Sequence, residues 1–221
     1  KKKEEEEKRR AEEASRQSAA VSDAGLGELY LAVSGYPVSS LSENESAVYR
    51  FLREELGLNK AAAAGVLANI YCESNFSTIA IGDGGTSLGL CQWHAERCRS
   101  LMAWCQSAGY DYRSTEGQLH YLAAELRGGY AGVYSYLASV PDTAEGAYEA
   151  GHYFCMYFES PDSVATRSDA RGRIAANSYF PADLEAFLKQ GASSRTQTEA
   201  ELEWENTVLK KIEALKNSAD A

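Results

Sequence analysis

The segment from Ala64 to Trp93, AGVLANIYCESNFSTIAIGDGGTSLGLCQW, sets one carboxylate, Glu73, where an apolar run of helical spacing gives out. A second carboxylate, Asp83, follows in a polar turn broken by Gly82, Gly84 and Gly85. A lone acid in apolar surroundings holds its proton to higher pH, because desolvation disfavours the charged form. A carboxyl that keeps a proton near neutrality can protonate a leaving group. That is the chemistry expected of Glu73.

The elements that must position these acids are legible on either side of them. Asn59 is a helix cap, Ala61 to Ala64 have high helix propensity, and Val66, Leu67, Ile70 and Tyr71 recur at helical spacing. Glu73 is therefore expected on the last turn of a largely buried helix. Asn75 and Ser77 read as loop, the glycines as a tight turn, and Ser87 to Trp93 as a short strand with Leu88, Leu90 and Gln92 on one face. A helix followed by a small hairpin forms two walls of a cleft.

The order Ala-Gly-x-x-x-Asn-Ile-x-x-Glu-Ser-x-Phe from Ala64, then Gly-Asp-x-Gly-x-Ser-x-Gly-x-x-Gln-Trp from Gly82, then Arg97, resembles the phage tail lysozyme family of peptidoglycan-cleaving domains. Such domains occur in phage tail proteins and in cell-wall-remodelling proteins of Gram-positive bacteria and their mobile elements. A more distant similarity, to goose-type lysozymes and soluble lytic transglycosylases, rests on the Glu73-Ser74 pair and the later Gly89-Leu90-x-Gln92. The resemblance runs from about Ser46 to Phe180 and includes the Phe158-Glu159-Ser160-Pro161 turn and a helix from Arg171 to Tyr179. It implies a mostly helical α+β, lysozyme-like fold with one small β-hairpin beside the catalytic cleft.

The resemblance also implies roles. Glu73 matches the catalytic acid, Ser74 the residue supporting that turn, Asp83 the hairpin acid that goose-type enzymes use on water, and Gln92 a residue lining the sugar cleft. Two positions depart from the pattern: Ala68 stands where glycine is commoner, and His94 where goose-type enzymes carry a further aspartate, which leaves the base open. Cleavage of a glycosidic bond passes through an oxocarbenium-like state, so one acid protonates the leaving oxygen while a second group acts on the opposite face. A base for water stands roughly 6.5–9.5 Å from the acid and a nucleophile about 5–5.5 Å. The helix end and hairpin turn between Glu73 and Asp83 suit the wider spacing, hence muramidase action with inversion. With Asp83 turned away, the muramyl 6-hydroxyl would attack and the enzyme would be a lytic transglycosylase. A silent cell-wall-binding or structural module of a tail or secretion assembly is the third reading.

Flat aromatic rings commonly face sugars, and Trp93, Tyr130 and Tyr153, with His94 beside Trp93, are expected to line the groove together with Ser74 and Gln92. Arg97 and Glu159 are expected to form an ion pair bracing the hairpin. The net charge of −10 and the lack of a basic stripe argue against nucleic acid as a partner. The partner expected is the peptidoglycan glycan strand, bound by shape and hydrogen bonds. Five cysteines cannot all pair within the chain. Cys98, Cys105, Leu101 and Met102 share a helical face and read as core, while Cys72, Cys91 and Cys155 are candidates to approach one another near the cleft. There is no CxxC pair and His94, His120 and His152 are widely separated, so neither a metal nor another cofactor is expected.

Residues 1–44 read as a charged segment, KKKEEEEKRRAEEASR, followed by a Ser- and Gly-rich linker; 45–190 as the catalytic domain; 191–221 as a linker and an amphipathic helix over Thr198 to Asn217. Ser42 and Glu45 form a capping box for a helix running through Leu56. Further helices are expected over His94 to Ser107, Thr115 to Leu126, Ala131 to Ala138, Thr143 to Phe158 (capped by Asp142 with Glu145), Arg167 to Tyr179 and Ala182 to Leu188. No stretch is long and apolar enough to span a membrane, and the start carries neither Met nor a signal-peptide pattern. The chain is expected to be part of a larger tail or cell-wall-remodelling protein acting outside the cell, at the wall or in a virion tail.

Overall fold

The computed structural model describes residues 38–161 and 164–194. The charged N-terminal run, most of the linker after it and the Thr198 to Asn217 helix lie outside them. The main unit ends at Leu184, and a second begins at Glu185 with most of the helix Leu184–Ser194.

The main unit is mostly helical, with a small antiparallel sheet, in agreement with the expected mostly helical α+β class. Helix α1 (Glu43–Glu54) opens on the expected capping box: Glu45 N–H donates to Ser42 Oγ, and Ser42 N–H to the Glu45 carboxylate. Helix α2 (Lys60–Ser74) is apolar on all sides, and every residue from Ala61 to Ile70 is buried. A helix without a polar face must be surrounded. Asn59 caps it through Ala62 N–H, and Asp142 accepts from Ala61 N–H at 2.8 Å. Asp142 thus serves the start of α2 rather than its own helix, whose cap is Thr143.

Three two-residue strands, β1 (Ile81–Gly82), β2 (Ser87–Leu88) and β3 (Trp93–His94), pair antiparallel in chain order. The single strand expected over Ser87 to Trp93 is therefore two strands with a turn between. The helices α3 (Ala95–Ala108), α4 (Thr115–Arg127), α5 (Ala131–Ser139), α6 (Ala144–Phe154) and α7 (Val164–Ile174) follow. The helix expected over Thr143 to Phe158 ends at Phe154 and continues as a π-helical turn, Cys155–Glu159; α7 likewise passes into a π-helical turn, Ala175–Tyr179.

Helix α2 packs chiefly on α6, and α6 in turn on α7. The crossing is close because small residues meet there. A Cβ on Gly65 would stand 2.5 Å from Gly151 N and 2.6 Å from Ala150 Cβ, and one on Gly151 would stand 2.9 Å from Arg171 O. On α3 the apolar face is narrower than expected: Leu101 and Cys105 are buried, but Met102 is exposed. No disulfide joins the five cysteines. Among the described residues no helix is long and apolar enough to cross a membrane.

Candidate active site

A cleft of about 410 Å³ opens between the end of α2 and the sheet, lined by Glu73, Asp83, Cys91, Gln92, His94, Arg97, Glu159, Ser160, Pro161 and Arg167. It brings Glu73, Asp83, Gln92 and His94 together. The backbone around it is strained: every non-glycine residue at positive φ among those described, Asn75, Phe76, Asp83, Gln92, Ala95 and Ser160, lies within three residues of a cleft-lining side chain. Such conformations persist only where surrounding contacts enforce them.

Those contacts are specific. Asn75 in the left-handed region ends α2, and Asn44 Nδ2 donates to Phe76 O, fixing the loop after the acid. Ser74 Oγ donates to Leu90 O at 2.9 Å, tying the last turn of α2 to the β2–β3 turn. That makes Ser74 a brace of the acid's turn. Gln92 Nε2 donates to Ala80 O and Gly89 O, and its Oε1 occupies the space that a side chain at Gly82 would need. Gln118, fully buried on α4, accepts from Leu90 N–H and donates to Thr78 O and Tyr112 O. Its role was not evident in the chain, where it is one polar residue on an amphipathic helix.

Glu73 is not the lone acid of the sequence reading. Arg171 Nη1 lies 2.6 Å from its Oε1, the arginine fully buried and the glutamate 16% exposed toward the cleft. Asn69 aligns this pair, accepting from Arg171 Nη1 at 3.2 Å while its amide nitrogen donates to Gly65 O and Gly151 O. Both residues stood in plain view, Asn69 inside the first motif and Arg171 at the start of the final one. Their pairing spans 102 residues of chain and has no local signal.

The carboxyl that burial pushes up is Glu159. Desolvation pushes it well above the usual carboxylate range, the Glu73 charge pushes the same way, and Arg97 and Arg171 offset part of this. The expected Arg97–Glu159 ion pair is replaced by another. Arg97 binds Glu125 through two nitrogens at 2.8 and 2.9 Å and donates to Phe158 O. Glu125 is the better partner because it also accepts from Trp93 Nε1 at 2.7 Å, so one carboxylate satisfies a buried indole and a half-buried guanidinium.

On the opposite wall Asp83 and His94 are well solvated, 67% and 60% exposed. Ser87 Oγ donates to Asp83 Oδ2 at 2.5 Å, and His94 Nδ1 lies 3.5 Å from that same oxygen and within hydrogen-bond reach of Ser87 and Thr86. His94 therefore braces the hairpin acid.

The aromatic residues expected in the groove are elsewhere. Trp93 is fully buried between the sheet and α4, against Tyr121. Tyr130 packs on Phe158 with the Arg97 guanidinium over its ring. Tyr153 stacks on Tyr136 at 3.7 Å. None of the three is among the cleft-lining residues. A ring with a hydrogen-bonding tip serves a core as readily as a sugar site.

A family model described as phage tail lysozyme matches residues 43–180, a span that holds both walls of this cleft. No curated protein matches the chain.

Proposed function

Since the chain belongs to the phage tail lysozyme family, whose members are lysozyme-like cell-wall hydrolases, we propose that it cleaves the β-1,4 bond between N-acetylmuramic acid and N-acetylglucosamine, with Glu73 as general acid. The observation that carries this reading is the fixed carboxyl of Glu73 at the end of α2, gripped by a buried arginine, with a solvated carboxyl, Asp83, lining the same cleft from the hairpin.

Glu73 gives its proton to the glycosidic oxygen as the bond to it breaks, and it ends the step as a carboxylate. That is the form an adjacent guanidinium stabilises, so Arg171 contributes more in the transition state than before it. Asp83 removes a proton from water on the other side of the sugar. Ser87 holds one of its oxygens while the side chain as a whole is 67% exposed, which suits a base that must meet water. Gln92, His94, Arg167 and Pro161 line the floor and rim against which a glycan would lie. Residues 45–190 form the catalytic domain, and the charged flanks join it to a larger tail or cell-wall-remodelling protein acting at the wall or in a virion tail.

The test is mass spectrometry of fragments released from purified Gram-positive peptidoglycan, with Glu73→Gln as control. Reducing muramic ends that disappear in the variant support a muramidase. Ends of 1,6-anhydro type would mean a lytic transglycosylase that dispenses with Asp83. Release of no fragments, or equal release by both proteins, would sink the mechanism.

A further inference from the structure

Glu159 is the one acid of the cleft that the hydrolytic scheme above leaves without a task. It ends the π-helical turn Cys155–Glu159, just before Ser160 enters the left-handed region, and its side chain lines the cleft with Glu73. Its Oε1 is sealed from solvent and has no hydrogen-bond partner. The nearby cations are engaged with other acceptors: Arg97 with Glu125 and Phe158 O, Arg171 Nη1 with Glu73 and Asn69. A carboxylate enclosed without a donor is costly, and taking up a proton removes that cost. Wide π-helical turns inside helices recur at functional sites, where they re-aim a side chain.

We propose that the acid of this cleft is a carboxyl pair, in which Glu159 holds a proton behind Glu73 and resupplies it through a cleft water. The proposal rests on the reading of Glu73 as general acid. Two carboxyls sharing one low-dielectric site do not both ionise readily, so the pair retains a proton to higher pH than a single acid would. The cycle balances. Glu73 gives its proton to the glycosidic oxygen and becomes a carboxylate; a proton then passes from Glu159 through water to Glu73. Glu159 recovers a proton from solvent, and the attacking water gives one to Asp83, which releases it. The net change is addition of one water across the bond.

The groups that face Glu159 are Glu73 from α2, the Cys91 thiol from the β2–β3 turn, Arg97 from α3, Glu125 from α4 and Arg171 from α7. Desolvation, Glu73 and Glu125 all favour its neutral form, and the two arginines oppose them. The thiol itself is pushed well up, by burial first and by Glu159 next, so it stays neutral and does not compete for the proton.

The experiment is a pH profile of kcat/KM on solubilised glycan for the wild type and Glu159→Gln, alongside a carbon-detected NMR titration of the glutamate side chains in both. Glutamine keeps the shape and neutrality of the protonated acid but holds no transferable proton. The alkaline limb is expected to move at least one pH unit lower in the variant, about a tenfold loss of rate on that limb. The NMR titration of the wild type is expected to show Glu159 titrating well above ordinary carboxylates, coupled to Glu73. An alkaline limb that stays in place would mean a purely structural Glu159 and overturn the pair. A Glu159 that titrates as an ordinary carboxylate would overturn it too, in a protein of any activity. Undiminished glycan cleavage by Glu73→Gln would instead remove the general-acid reading while the titration still reported on the pair.

Discussion

Replacing Glu73 tests stability as well as catalysis, because Arg171 depends on it. The guanidinium is fully buried, 2.6 Å from the Glu73 carboxylate and 3.2 Å from Asn69 Oδ1. Glu73→Gln leaves an oxygen in reach of Nη1, so a charge-assisted hydrogen bond becomes one to a neutral acceptor, a loss of about 1–2 kcal/mol. Glu73→Ala removes the acceptor and leaves a buried cation short of a partner, which costs about 3–5 kcal/mol. At about 2–4 °C per kcal/mol for a chain of this length, the Gln variant should melt roughly 2–8 °C below wild type and the Ala variant roughly 6–20 °C below. Both should lose nearly all activity. Urea unfolding, with cleavage assayed on the same preparations, separates the two effects. Combining Glu73→Gln with Arg171→Met should recover about 1–3 kcal/mol relative to the sum of the single changes. If Glu73→Ala were as stable as Glu73→Gln, or the double variant simply additive, the buried pair would not be holding the acid in place.

Glu159 gives a pH-dependent stability of definite sign. Its folded value lies above its unfolded one, so its contribution is fully present below about pH 4.3 and is lost as pH rises through the folded value. A series of urea midpoints from pH 4 upward should therefore show Glu159→Gln gaining on wild type until the pH passes the folded value, and a constant difference throughout would contradict the raised acid. Asp83→Asn should keep the fold, since the side chain is largely exposed and Asn can still accept from Ser87, but slow hydrolysis by about 10²–10⁴; an unchanged rate of reducing-end formation rules Asp83 out as base. Two alanine substitutions should differ in sign: Gly65→Ala drives a Cβ into α6 and should cost about 1–3 kcal/mol, whereas Gly132→Ala, in open space on α5, should add about 0.4–1 kcal/mol. Thermal melts of the pair check this, and equal shifts would refute the close crossing of α2 and α6.

The local parts of this molecule were legible in the chain and the long-range ones were not. The capping box at Ser42, the all-apolar helix ending at Glu73 and the glycine turn at Asp83 are each specified within a few residues, and the structure has all three. The errors share one physical origin. Asp142 was read as a cap for the helix beside it, yet its oxygen is taken by Ala61, 81 residues away. Arg97 was paired with Glu159, yet Glu125 outcompetes it by also serving Trp93. Trp93 was placed in the groove because aromatic rings suit sugars, but burial against Tyr121 satisfies the same ring. In each case residue type and spacing told which group needed a partner, and only packing told which partner was in reach. The five-residue π-helical turn that carries Glu159 has no periodicity signal at all, because a 3.6-residue apolar pattern runs into it without a break.

The two walls of the cleft differ in a way that follows from how each is built. Helix α2 is surrounded through Ile70 and only partly open in its last turn, so the polar groups near its end are satisfied largely from inside the protein. That requirement places Asn69 and Arg171 beneath Glu73 and leaves one oxygen of Glu159 sealed beside them. The sheet is only three strands of two residues; it buries Trp93 on its inner side, and on the outside Asp83 and His94 remain in water. A dry wall retains a proton and releases it to a substrate oxygen that excludes solvent, while a wet wall has water at hand to deprotonate. On the proposed mechanism, acid and base are thus divided between a half-buried helix end and an exposed hairpin turn. The same two carboxylates exchanged between those walls would serve neither role.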